Sequence, residues 1–196
     1  GASVRTNIEN SYRAGIEIEG GFQITRGLKW SGNVTLSQNK IQDWTEYVDN
    51  WDTWGKDTVV HANSTLAFSP SVIASSIFEF NPYKQFDGPR MRNRIDNLTI
   101  ALISKYVGDQ FVDNTQSQDR MLEAYLVHDL RINYSIKFRT GLDKLTLFGS
   151  IYNLTNKLYS ANAWSYRYSA GGEFQQLMGF YPQAPTNLLI GLNLKF

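Results

Sequence analysis

The sequence predicts an all-β protein: about seven antiparallel, up-and-down strands, each with one apolar and one polar face, forming part of a transmembrane β-barrel. Three observations carry this prediction. Apolar residues recur at every second position over several separate stretches, the period of a strand with two unlike faces. Tyr (11), Phe (11) and Trp (5) make up 14% of the 196 residues; Tyr and Trp, with an apolar body and a polar tip, favour half-wet surfaces such as a membrane boundary. Short and long connections alternate along the chain, as they do between the two ends of a membrane barrel.

The first predicted strand, 12–24, sets Tyr12, Ala14, Ile16, Ile18, Phe22 and Ile24 against Arg13, Glu17, Glu19 and Gln23. The turn Thr25-Arg26-Gly27 separates it from a second strand at 28–37, where Leu28, Trp30, Val34 and Leu36 oppose Lys29, Ser31, Asn33 and Thr35. Strands at 72–80, after Ser69-Pro70, and at 98–106 follow. The clearest alternation covers 122–138: Leu122, Leu126, Leu130, Ile132, Tyr134 and Ile136 share a face, with His128 among them, opposite Asp129, Arg131, Asn133 and Lys137. A helix would mix the two sets around its circumference. The stretch 145–154 is ambiguous, because Phe148 and Tyr152 oppose Leu145, Leu147 and Ile151. The last strand, 188–196, carries Leu188, Ile190, Leu192, Leu194 and Phe196 on one side. An eighth strand at 59–68 is compatible with the pattern. The turns at 25–27 and 139–143 are brief, whereas 42–58, 107–121 and 157–186 read as long polar loops rich in aromatics; 81–97 is longer than its place among the short turns predicts.

Half-buried soluble sheets alternate too. The barrel reading gains from the mixed Glu, Arg, Lys, Asn, Ser and Gly of the polar faces, and from Tyr12, Phe22, Trp30, Phe80, Tyr106, Tyr134 and Phe138 at the ends of the apolar faces. That is where aromatic girdles flank an apolar band about 25 Å tall. A small self-contained eight-strand barrel with a structural or adhesive role and a soluble β-sandwich binding module are the alternatives.

The composition excludes several function classes. The formal net charge of +1 lacks the basic excess of a nucleic-acid-binding surface. With no cysteine there is no disulfide, thiolate metal site or Cys nucleophile. No stretch approaches the roughly 20 apolar residues of a transmembrane helix. The opening Gly1-Ala2-Ser3, without an initiator Met or signal segment, is expected of a mature, trimmed or excised chain. His61 and His128 are far apart in sequence and lack a carboxylate at ligand spacing; His128 reads as a packing or interface histidine. Glu17 and Glu19, about 7 Å apart along a strand, read as lining carboxylates rather than an acid/base pair. Gly20-Gly21 and Gly171-Gly172 lack the strand–loop–helix setting of a phosphate loop. No catalytic residue, metal site or cofactor is predicted.

The order of several short stretches resembles the C-terminal third of the TonB-dependent receptors, the plugged transporters of the Gram-negative outer membrane. They are Tyr12-Arg13-Ala14-Gly15-Ile16-Glu17-Ile18-Glu19-Gly20, then Ser104-Lys105-Tyr106-Val107-Gly108-Asp109-Gln110-Phe111, then Val127-His128-Asp129-Leu130-Arg131-Ile132-Asn133-Tyr134. Tyr152-Asn153-Leu154-Thr155-Asn156-Lys157-Leu158-Tyr159 and the closing Gly191-Leu192-Asn193-Leu194-Lys195-Phe196 complete the set. The resemblance implies that residues 1–196 are the last seven of about 22 strands, with the plug domain and earlier strands absent. It implies a non-enzymatic role in energy-dependent uptake of a scarce nutrient, such as a siderophore, cobalamin or a glycan, across the cell outer membrane. Its partners would be outer-membrane lipid, the inner-membrane energy-coupling system through the absent N-terminal part, and the barrel-assembly machinery, for which Phe196 resembles the terminal signal. The long loops are the expected place of ligand contact. Trp44, Tyr47, Trp51 and Trp54 in the first, and Trp164, Tyr166 and Tyr168 in the last, could stack on a sugar or an aromatic siderophore. Asp43, Glu46, Asp49, Asp52 and Asp57 between the first set could hold a hard cation. The plainer expectation is that these aromatics pack the loops together.

Overall fold

The computed structural model describes residues 10–86, 95–138 and 141–196. Its strands are β1 (Ser11–Gln23), β2 (Leu28–Asn50), β3 (Gly55–Thr65), β4 (Val72–Phe80), β5 (Ile95–Val107), β6 (Gln110–Phe111), β7 (Met121–Leu122), β8 (Tyr125–Lys137), β9 (Lys144–Tyr152), β10 (Ser160–Ala170), β11 (Glu173–Pro182) and β12 (Asn187–Lys195). A one-turn helix, α1 (Pro82–Phe86), follows β4, and a 3-10 turn (Gln118–Arg120) precedes β7. The meander β1-β2-β4-β5-β8-β9-β12 forms one continuous antiparallel wall, so the seven predicted strands are all present.

The register explains the two faces. Directly opposed residues in neighbouring strands put their side chains on the same side of a sheet. One such row runs Phe22, Trp30, Phe78, Leu102, Leu130, Ile151, Leu188, apolar across all seven strands. The adjoining row, Gln23, Lys29, Glu79, Ala101, Arg131, Ser150, Leu189, is mostly polar. The first row is the apolar face that a membrane barrel turns to lipid, and the second the polar face that it turns to its lumen. The ambiguity in β9 is settled by the same register: Leu145, Leu147 and Ile151 take the apolar side, and Phe148 turns to the polar side over its partner Gly191, where a Cβ would collide with the ring. His128 lies on the apolar side, its Nδ1 2.8 Å from Oγ of its cross-strand partner Ser104, so each of the two side chains has a polar partner on that side.

Three predicted loops are more ordered than expected. The stretch 42–58 is mostly strand: β2 continues to Asn50 and returns as β3 after a turn at 51–54. The stretch 157–186 contains the β10–β11 hairpin. In 107–121, β6 pairs with β7, and the strand predicted from Leu122 starts at Tyr125 instead. Within 81–97, α1 occupies the start and β5 begins at Ile95; residues 87–94 lie outside the described residues. The possible eighth strand is β3, which pairs with the same edge of β2 as β4, because Lys40 is flanked by Tyr12 on one side and Thr65 on the other.

The two sides of the wall predict unequal tolerance to charge. Ile132→Arg, on the apolar side, is expected to cost about 2–4 kcal/mol if it sits near mid-bilayer. Asn133→Arg, one residue away on the polar side, should stay within about 0.5 kcal/mol. Urea unfolding midpoints in lipid vesicles, measured on the protein carrying this chain, check the pair.

Candidate functional site

Above the wall, β2 and β3 rise together and their alternation changes phase. The pair Gln42–Asn63 is missing from an otherwise unbroken register, and Asn63 has φ 52°, a left-handed value that turns the strand. Below this point Asn39 and Ile41 are buried on the lumen side; above it Trp44, Glu46 and Val48 take over that side, while Asp43, Thr45 and Tyr47 turn outward and are exposed. The Trp44 Nε1–H donates to Oγ of Ser64, the partner of Ile41, at 3.0 Å, so the two residues share a side across the break. The reversed phase turns the buried side of the hairpin toward the barrel mouth.

Two further segments close onto that mouth-facing side. The 107–124 segment packs against it: Trp44 Nε1–H also reaches the Asn114 carbonyl at 3.1 Å, and Phe68 N–H donates to the Phe111 carbonyl at 2.9 Å. The β10–β11 hairpin arches over from the far end of the wall and meets β2 in a short parallel pairing, Tyr168 with Asp49 and Ser169 with Asn50. Its own buried side carries Ala163 and Met178, which pack on Val112 and Leu122.

Glu46 is the hub where these segments join. One carboxylate oxygen receives Arg167 Nη1 and His61 Nε2, each at 2.9 Å, and the other lies 3.7 Å from Arg120 Nη1. Arg120, 4% exposed, is held more tightly by Asp113 at 2.6 Å, and Ser165 Oγ donates to the same Asp113 oxygen at 2.8 Å. Arg120 Nε has no partner among the described residues, a buried donor left unmade within an otherwise paired network. The Trp44 ring stacks on His61 at 4.9 Å, and the Arg167 guanidinium lies 3.9 Å from the centre of the Phe174 ring. An open cleft of about 610 Å³ borders this network, lined by His61, Asp119, Arg120, Arg167, Phe174 and Gln176 among others. Donors, acceptors and an aromatic face converge there, the mix that orients a small polar ligand.

The hinges of the β10–β11 hairpin are tied by Asn153. Its side chain bonds the Lys157 and Ala184 carbonyls at 2.9 and 3.2 Å, its Oδ1 accepts the Lys157 N–H, and its own carbonyl accepts Thr186 Oγ at 2.6 Å. At the far end, the Asp52 carboxylate accepts the Gly171 and Gly172 N–H groups, each at 2.9 Å. Both glycines have positive φ, so the turn that aims their amides at Asp52 is one that side chains disfavour. These two bonds hold the Asp52 carboxyl below its usual value.

The structure divides the aromatic residues that the sequence singles out. Trp44 faces the mouth and is half-buried in its stack. Trp51, Tyr168 and Tyr166 form one group on the opposite, outward side: Trp51 stacks on Tyr168 at 4.1 Å, and Tyr166 OH donates to Asp49 at 3.1 Å. Tyr47 and Trp164 share that outward side without joining the stack, Trp164 covering Gly179. Trp54 sits in the turn, 91% exposed. Of the acidic residues 43–57, Glu46, Asp49, Asp52 and Asp57 go into separate bonds and Asp43 is exposed, and no group of three metal-ligating side chains occurs among the described residues. The Glu46–Arg120–Arg167–Asp113 network escaped the sequence reading because its members come from three distant segments, and only the buried alternation at 44, 46 and 48 could have hinted at it.

A family model described as "TonB dependent receptor-like, beta-barrel" matches residues 1–154. Among solved structures, the chain is similar to BauA, the ferric preacinetobactin receptor from Acinetobacter baumannii, with 14% identity over 95% of this chain and a TM-score of 0.49. The chain spans about a quarter (26%) of that receptor's length. No curated protein sequence matches it.

The Asp52 contact is expected to depend on charge in a defined direction. A carboxyl lowered in the folded state contributes stability above its unfolded value and loses it as pH falls through the lowered one. Asp52→Asn at neutral pH should therefore speed amide exchange at Gly171 and Gly172 while leaving the strands of the wall unchanged. Equal exchange in both proteins would show that the carboxylate does not hold the hairpin.

Proposed function

The chain belongs to the TonB dependent receptor-like β-barrel family, and we propose that it supplies C-terminal wall and extracellular gate to an outer-membrane transporter for a scarce nutrient. Uptake of a siderophore, cobalamin or a glycan would be driven by inner-membrane energy reaching the barrel through parts of the receptor beyond this chain. The observation that carries the reading is the phase change at Gln42 and Asn63, which turns a polar, ion-paired surface and its cleft toward the mouth directly above the polar side of the wall. A passing ligand would meet Arg167 and Phe174 on the hairpin, His61 on β3 with Trp44 of β2 stacked behind it, and the Arg120 segment. Those groups come from three segments, so engaging them would couple the ligand to the hairpin that covers it. The pairing of both arginines with carboxylates suits binding and positioning of a polar ligand, and the reading assigns the chain transport rather than catalysis.

Ligand contact at the cleft is tested in the complete receptor. Arg167→Ala and, separately, Phe174→Ala should each lower uptake of the cognate nutrient by about tenfold or more for the charged contact and less for the ring, at unchanged surface levels. Undiminished uptake in both variants would overturn the gate assignment. Phe196, exposed one residue past β12, is proposed as a contact for the assembly machinery, so its deletion is expected to lower outer-membrane levels of the receptor in immunoblots of membrane fractions.

A further inference from the structure

The outward side of the extracellular sheet is not used by the uptake reading. It is built from β11, β10, the upper half of β2, and β3, and its exposed apolar residues include Tyr47, Val60, Trp164, Leu177 and Tyr181, between 46% and 74% exposed. With the Trp51–Tyr168 stack they form a contiguous aromatic surface of the kind that soluble faces rarely leave uncovered. The charges around it are unequal. Asp43, Asp49 and Glu173 lie on this side and Asp52 at its tip, against Lys56 alone. At its margin, β11 pairs only with β10 among the described residues, so a ten-residue strand presents one edge of backbone donors and acceptors.

We propose that this outward face is a docking surface for an extended, basic segment of a partner protein at the cell surface. An extended chain can add to the β11 edge through main-chain hydrogen bonds, with side chains of alternate residues falling on the aromatic side. Lys or Arg side chains there would lie over Tyr181 and the Trp164 ring, which covers Gly179 of β11 and where a cation is attracted by the ring face, and near Glu173, with Asp49 and Asp52 adding negative charge at longer range. The same carboxylates repel the phosphates of outer-leaflet lipid. They also disfavour a second copy of this chain, which would bring the same acidic face to a two-fold contact. A neutral glycan could stack on the rings but would leave the charge asymmetry without a role.

The test uses the complete receptor in nanodiscs and three probes: the peptide acetyl-(Lys-Val)3-amide, its counterpart acetyl-(Glu-Val)3-amide, and maltohexaose. The Lys peptide is expected to bind in calorimetric titration, with Kd rising about tenfold in Trp164→Ala. Kd should rise severalfold in Glu173→Gln and on raising salt from about 0.1 to about 1 M. The proposal is overturned if the Glu peptide or maltohexaose binds as well as the Lys peptide, if neither variant shifts Kd, or if no probe binds. It is equally overturned if hydroxyl-radical footprinting finds Trp164 and Tyr181 already shielded in the unliganded receptor. Uptake should be unchanged by Glu173→Gln, so failure of this face and failure of the mouth-facing cleft read out separately.

Discussion

Backbone hydrogen bonding sets the terms for the rest of this molecule. At membrane depth no water is present to pair an unmade N–H or C=O, and a sheet satisfies them only through unbroken ladders between neighbours. The seven-strand wall keeps its register continuous from β1 to β12 with one irregularity, at Ile95–Asn97 near the start of β5. Continuity of register fixes the side on which every side chain stands, and a slip of one residue would exchange the two faces. The apolar row through Phe22, Trp30, Phe78, Leu102, Leu130, Ile151 and Leu188 is the direct consequence.

Outside the membrane that constraint relaxes, and the irregularities appear where water can meet the freed groups. The missing Gln42–Asn63 pair reverses which side of the hairpin faces the mouth. Left-handed residues cluster in the same region, at Asn63, Phe68, Gln116, Asn153 and Asn156. Asn tolerates this conformation through local side-chain bonds, and Asn153 uses its amide in that way to tie both ends of the β10–β11 hairpin. The hairpin is thus held at its base by neutral amide bonds and at its tip by a carboxylate. Glu46 fastens its middle through Arg167. Each attachment lies on a different segment, so none fixes the hairpin alone.

Polar satisfaction also separates the two sides of the sheet above the wall. On the mouth side, ionised groups are paired almost throughout, which is the condition for burying them. Arg120 is the exception in detail, paired through Nη1 while its Nε is left without a partner. On the outward side, the large side chains remain exposed and the acids outnumber the bases. A single β-hairpin therefore presents two chemically unlike surfaces, as the wall beneath it does, but with the phase reversed.

The sequence by itself determined the wall. Alternation at period two is a local property, and it placed all seven strands, located the turn at 25–27 and assigned two faces to every strand but β9, whose faces only the register settled. It placed His128 on the apolar side for the same reason, and the structure adds its bond to Ser104. The part above the wall was decided by tertiary structure. Residues 42–58 and 157–186 also alternate, yet their polar and aromatic composition reads as loop when no lipid demands an apolar side. Their strands exist because β2 and β3 pair with each other and β10 joins them from far along the chain. The division of Trp44 from Trp51, Tyr166 and Tyr168 follows from one left-handed Asn that no composition or spacing announced. The hub at Glu46 needed three segments separated by up to 121 residues, and contacts of that range belong to the folded sheet rather than to any window of the sequence.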